Sequence, residues 1–182
     1  LVIGHFHPRF FADRIIVPNC LFRPLMISDN SYRNFISYVI ENRVVSPIRL
    51  LYTPSTQTGA RWARKLSKRA SESIEKLKRD SRYEVAMLHD SRISQVDLAR
   101  IRSWISLDEV VTGSMHLVSY EAFAFGNVAI NFADDLSIQY FKTSFGAEHD
   151  PPFYRANEDN LFDKINELDA TSLKLLAIDS FE

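Results

Sequence analysis

The residues from Asp108 to Ile130 restrict the fold more than any other part of the chain, because four structural signals follow one another there with almost no linker. Val110 and Val111 form a short β-branched run, Thr112-Gly113-Ser114 supplies a sharp turn, and Leu117, Tyr120 and Ala124 recur at helical spacing until Gly126 ends the helix. Val128-Ala129-Ile130 then resumes a buried strand. A strand, a helix and a strand joined this tightly read as one crossover of a parallel sheet. One charge interrupts the pattern: Glu121 lies inside an otherwise apolar helix, so it needs a polar partner or lines a cleft.

The same alternation runs through the rest of the chain. Tyr32 to Asn42 places Phe35, Ile36, Val39 and Ile40 on one face behind the capping residues Asp29-Asn30-Ser31, which predicts a short amphipathic helix. Ile48 to Thr53 predicts a strand, and Pro54 to Gly59 a polar loop leaving its carboxyl end. A helix from about Ala60 to Asp80 follows, with Trp62, Leu66, Ala70, Ile74 and Leu77 on its buried stripe. Tyr83 to Leu88 predicts a strand, His89-Asp90-Ser91 a turn, and Ile93 to Ile105 a helix through Val96, Leu98 and Ile101. Later helices are expected from Asp134 to Phe145, through Leu161, Ile165 and Leu168 behind Asn157, and from Leu173 to Phe181. The expected architecture is therefore α/β, a Rossmann-like parallel sheet with helices on both faces. Residues 1–30, broken by Pro8, Pro18 and Pro24 and holding one convincing strand at Arg14 to Val17, read as a linker segment leading into a single domain over residues 31–182.

Composition limits what such a domain can do. With 182 residues, 46% of them hydrophobic, the chain buries one core. Lys+Arg 22 against Asp+Glu 23 leaves a formal charge of -1, so no global field attracts nucleic acid or an anionic membrane, and any anion site must be local. No apolar run approaches the roughly 20 residues that span a bilayer. The lone Cys20 rules out an intramolecular disulfide and suits a reducing compartment, so a cytoplasmic location is expected. A start at Leu1 rather than at methionine fits an excised domain or a processed product.

In an open parallel sheet, ligands bind outside the carboxyl ends of the strands, where the loops at 54–59, 89–91 and 112–115 are expected to lie. A helix beginning near Ser114 offers unpaired N–H groups to a phosphate, and Gly113 removes the Cβ that obstructs close approach. Glu121 can accept two hydrogen bonds from the vicinal diol of a ribose, or serve as a structural glutamate bonded to backbone or to a neighbouring arginine; spacing leaves both open. Arg61, Arg64 and Lys65 fall in the first turn of the long helix, where basic side chains oppose the macrodipole unless an anion offsets them. Other chemistries have less to stand on. Asp108, Ser114 and His116 are neighbours without a Gly-x-Ser-x-Gly elbow, and neither a phosphate loop nor a Gly-x-Gly-x-x-Gly fingerprint occurs. His5 and His7 have no further metal ligand nearby, and helix capping accounts for Asp134-Asp135, so no metal is expected.

Glu121-Ala-Phe-Ala-Phe-Gly126 followed by Val128-Ala-Ile130 resembles the Glu-Ala-(Met)-Ala-x-Gly-x-Pro-Val-Ile segment of the nucleotide-sugar-binding domain of GT-B glycosyltransferases, particularly family 4. Leu50-Leu-Tyr-Thr-Pro-Ser55 is similar to the strand and loop opening that domain. Ser106 to Gly113 is similar to the strand before its donor loop, Arg14 to Asn19 to the strand by which the chain enters it, and Pro152 to Leu168 to its final strand and helix. The likeness runs over roughly residues 14 to 170. It implies the donor half of a two-domain sugar transferase of the retaining kind. Glu121 then holds the ribose of a nucleoside diphosphate sugar, and Gly113, Ser114, Met115 and His116, with Arg61 and Lys65, face its diphosphate and sugar. His89 and Asp90 lie near the base. The resemblance also implies no metal or other cofactor, and an N-terminal acceptor-binding domain outside this chain, without which the fragment is expected to be inactive. Two positions depart from the family pattern. Gly113 stands where many members carry a glutamate that touches the sugar, and Gln57 and Ala60-Arg61 stand where an Arg and a Lys-Gly pair grip phosphate. A non-catalytic nucleotide- or protein-binding module on the same fold is the alternative.

Overall fold

The computed structural model describes residues 2–4, 16–18, 30–54 and 67–181. Two short strands, β1 (Val2–Gly4) and β2 (Ile16–Pro18), pair in parallel with each other. β2 overlaps the strand expected near Val17; β1 carries no pattern long enough to read. After α1 (Asn30–Asn42) comes the main sheet, built from β3 (Ile48–Tyr52), β4 (Tyr83–Met87), β5 (Ile105–Leu107), β6 (Val128–Asn131) and β7 (Tyr154–Arg155). All neighbours are parallel, in the order β4-β3-β5-β6-β7. The α/β Rossmann-like sheet read from the sequence is thus the architecture of the molecule.

Between the strands lie α2 (Lys68–Arg79), α3 (Ile93–Arg102), α4 (Leu117–Ala124) and α5 (Asp135–Phe145), and α6 (Leu161–Asn166) and α7 (Ala170–Phe181) close the chain. Because β4 lies on one side of β3 and β5 on the other, right-handed crossovers send α2 and α3 to opposite faces. α2 packs with α6 against the sheet, while α4 lies on β5 and β6 together with α7, which also meets α1. The core is where the patterns put it. Ile36 and Ile40 of α1, Ala70, Ile74 and Leu77 of α2, Leu50 of β3, Ile130 of β6 and Leu161 and Ile165 of α6 are each at most 2% exposed.

Three expectations about boundaries need correction. α2 starts at Lys68 rather than near Ala60, because the Ser67 side chain accepts from the Ala70 amide at 3.1 Å and caps it there. Trp62 and Leu66, with Arg61, Arg64 and Lys65, lie outside the described residues. α3 ends at Arg102 rather than at Ile105, since the Trp104 N–H bonds to the Arg49 carbonyl at 2.9 Å and draws the chain into the sheet. The strand expected at Val110-Val111 is accordingly the earlier Ile105–Leu107; Val110 is still core, at 1% exposure, but in a loop. Phe35 and Leu98 also stand outside the core, at 46% and 47% exposure.

Candidate functional site

β3 is the strand at which the chain changes direction across the sheet, so the topological switch point, where open parallel sheets bind ligands, lies at the carboxyl ends of β3 and β5. Two acids follow β5 at once, and Asp108 and Glu109 are each only 1% exposed. Their backbone still runs beside β6, through Asp108 N–H to the Ile130 carbonyl at 3.0 Å and Phe132 N–H to the Glu109 carbonyl at 2.8 Å. Buried carboxylates require donors, and the loop that follows supplies them. Glu109 accepts from the backbone amides of Val111 (2.6 Å), Thr112, Gly113 (3.0 Å) and Ser114 (3.2 Å), a nest of N–H groups closed on an internal anion. Asp108 Oδ2 accepts from the His116 amide (3.1 Å), Ser119 Oγ (2.8 Å) and Asn131 Nδ2 (3.1 Å), and its Oδ1 lies 3.3 Å from His116 Nδ1.

These bonds change the part the turn was expected to play. The amides of Gly113 and Ser114 point at Glu109 rather than outward, and the helix begins at Leu117, with His116 as its N-cap residue. Gly113 has φ +82°, and a Cβ there would meet Asp134 Oδ2 at 3.0 Å and Asp134 Cγ at 3.2 Å. Its carbonyl also accepts from the Asp134 N–H (3.1 Å) and Ser137 Oγ (2.8 Å). A glutamate, the residue many members of the resembled family carry here, would therefore be strained by the positive φ and crowded by the Asp134 side chain. Asp134 caps α5 by accepting from the Ser137 amide at 3.0 Å, as the capping explanation of Asp134-Asp135 has it. Ser114 is buried, Met115 is half-buried, and His116 keeps 14% of its side chain exposed.

Glu121 is 7% exposed, and its Oε2 accepts from Nη2 of Arg100, which is 2% exposed. Arg100 also stands 3.4 Å from Asp97 Oδ1 and 6.0 Å from the centre of the Phe125 ring. Of the two readings left open for this glutamate, the neighbouring arginine is present. His89 and Asp90 stand at the carboxyl end of β4, on the same edge of the sheet, and pair with each other at 2.8 Å in an exposed turn where Asp90 has φ +49°.

Sequence reasoning missed four residues here: Tyr52, Glu109, Arg100, and Asp108 in its role of holding His116. The acids directly after an apolar strand were a usable signal, because a charge adjoining a buried run needs a reason. Tyr52 gave none. It ends β3, is 1% exposed, and its hydroxyl has no hydrogen-bond partner among the described residues. Burial, reinforced by the charges of Asp108 and Glu109, pushes its pKa far above the usual tyrosine value, so it stays a protonated donor.

Among the described residues no group of three or more His, Cys, Asp or Glu side chains is placed to hold a metal ion, and no helix is long and apolar enough to cross a membrane. Comparison with protein-family models, with curated proteins and with solved structures returned no match.

Proposed function

We propose that the chain is the donor-binding half of a cytoplasmic GT-B glycosyltransferase, which holds a nucleoside diphosphate sugar while an acceptor is presented by a second domain. The observation that supports this reading is the strand order, which puts the switch point of the sheet between β3 and β5, with the 108–116 loop and α4 following directly from the carboxyl end of β5. In this reading the diphosphate lies against the first turn of α4, whose leading N–H groups have no partner within the helix. Glu121, fixed by Arg100, accepts from the ribose hydroxyls. Charge developing on the departing diphosphate is offset by fixed donors and by basic residues of segment 55–66, where the sequence places Arg61 and Lys65, without a metal.

A second reading, a binding module without transferase activity, is favoured by one observation. The amide nest that could cradle a phosphate is filled by Glu109. Calorimetric titration of the chain with UDP, GDP and their sugars separates the two. The donor reading expects saturable binding of one nucleotide series, weakened about tenfold or more by Glu121→Gln in protein that still unfolds cooperatively. Absence of heat with every nucleotide leaves the second reading in place.

A further inference from the structure

The main sheet ends on one side with β4, and among the described residues no strand pairs with its outer side. The inner bonds fix which groups are left. The Ile48 N–H donates to the Arg82 carbonyl at 2.8 Å and the Leu88 N–H to the Tyr52 carbonyl at 3.0 Å, so the even-numbered residues of this stretch turn their main-chain groups to β3. Val85 and Met87 therefore turn theirs outward, while the Tyr83 amide is taken by the Asp80 carbonyl at 3.0 Å and only its carbonyl points out. The devices that keep such a strand from pairing are missing. β4 is five residues long, runs in unbroken register with β3, and contains neither Pro nor Lys. Its one charge, Glu84, is bonded to Arg49 at 2.8 Å, and Arg82, just before the strand, is bonded to Asp80 at 2.6 Å. Apolar side chains also stay exposed, Met87 at the carboxyl end of β4 and Ile93 and Leu98 on the helix that follows. β7, on the far side of the sheet, has only two residues and presents no comparable strand.

We propose that the outer side of β4 pairs with β4 of a second copy of the chain, antiparallel about a two-fold axis through Val85, so that the two sheets become one. The strand matches itself in that register. Val85 exchanges both main-chain bonds with Val85 of the second copy, and the Met87 amide donates to the Tyr83 carbonyl, the one outward group that the turn at Asp80 leaves open. Glu84 then faces Ala86 and Tyr83 faces Met87, so no like charges stand opposite each other, whereas an axis moved to Glu84 sets that carboxylate against its own copy. Any extended strand supplies main-chain groups; the self-matching side chains select a second copy. β4 and the switch point lie on opposite sides of β3, so the pairing leaves the ligand side of the sheet open and does not depend on the donor reading.

Sedimentation equilibrium of the full chain over a range of concentrations tests the pairing, with a rise from monomer to dimer mass expected. The half-buried Ala86 reports the register, because its side chain can be changed without touching a main-chain bond. Ala86→Glu sets like charges opposite each other on both sides of the axis and should raise the dimer dissociation constant about tenfold, whereas Ala86→Lys gives Glu84 of the other copy an opposite charge and should lower it severalfold. Val85→Pro removes an outward N–H and none of the bonds to β3, so it should unfold as cooperatively as the parent chain and remain a monomer. Should that variant fail to fold, the two Ala86 variants still decide. A parent chain that stays monomeric at every concentration overturns the proposal and leaves β4 to a strand from another protein. A dimer that Ala86→Glu and Ala86→Lys change equally, or that a folded Val85→Pro forms as readily as the parent, overturns it as well.

Discussion

Glu121 and Arg100 hold opposite charges where almost no water reaches, with 9% and 2% of their side chains exposed. At that depth the attraction is strong but so is the desolvation penalty of each ion, and the pair as a whole adds little to stability while either partner alone is a liability. Glu121→Ala should therefore destabilise the chain by about 3–5 kcal/mol, whereas Arg100→Met combined with Glu121→Leu should leave stability within about 1 kcal/mol of the parent or raise it. Urea unfolding of the three proteins measures both. A single substitution that loses less than the double one would mean that the pair is not isolated from solvent as described. The glutamate itself was legible, since a charge on an apolar helix breaks the local pattern. Its partner was not, because Arg100 lies 21 positions earlier on a different helix, and no spacing rule connects the two.

The helices and strands declared themselves wherever a residue with special backbone chemistry marked an end. Gly126 and Gly146, at φ +60° and +63°, terminate α4 and α5 where the sequence suggested. α3 has no such signal: Ser103 and Trp104 leave the helix only because a sheet hydrogen bond is waiting, so tertiary structure decides what propensity does not. A similar long-range contact ties the ends of α3 and α4 together. Arg43, 7% exposed, donates from Nε to the Ile101 carbonyl at 3.1 Å, from Nη1 to Gly126 at 2.7 Å and from Nη2 to Phe125 at 3.0 Å, and lies 5.0 Å from the centre of the Trp104 ring. Burial lowers its pKa to about 10, which still leaves it charged at neutral pH, as the carbonyl ends of two helices favour. Arg43→Met should leave these carbonyls without a donor and cost about 3 kcal/mol, while Arg43→Lys, which cannot reach three acceptors in a plane, should recover only part of it. Hydrogen exchange at the α4 amides should accelerate in both variants; unchanged α4 protection in Arg43→Met would place the anchor of that helix elsewhere.

At the scale of the molecule the two edges of the sheet do different things. Alternation of strand and helix was enough to predict a parallel sheet and to send attention to its carboxyl edge, but strand order is not written in any local pattern, and without it β3 and β5 cannot be named as the strands flanking the switch point. The opposite, amino edge carries a polar web. Arg82 bonds both Asp80 and Asn166, Tyr83 bonds Asn166, Glu167 bonds Lys164 and Tyr154, and Asp169 accepts from the Ser172 amide at the start of α7. Hydrogen bonding from Arg82 lowers the pKa of Asp80, bonding from Lys164 and then Tyr154 lowers that of Glu167, and the Ser172 amide lowers that of Asp169. As pH falls, the native state therefore holds fewer protons than the unfolded chain, and this part of the stability is present above the unfolded values of 3.8 for Asp and 4.5 for Glu and is lost below them. Tyr154 has the opposite sign. Burial and the bond to Glu167 raise it to about 12 from 10.0, so its contribution is complete below the unfolded value and disappears as pH rises through the folded one. Thermal unfolding should accordingly be flat near neutrality and fall on both sides. In Glu167→Gln, which removes the charge shared by Lys164 and Tyr154, the acid and alkaline limbs should both become shallower; limbs as steep as those of the parent chain would show that Glu167 is not a source of the pH dependence.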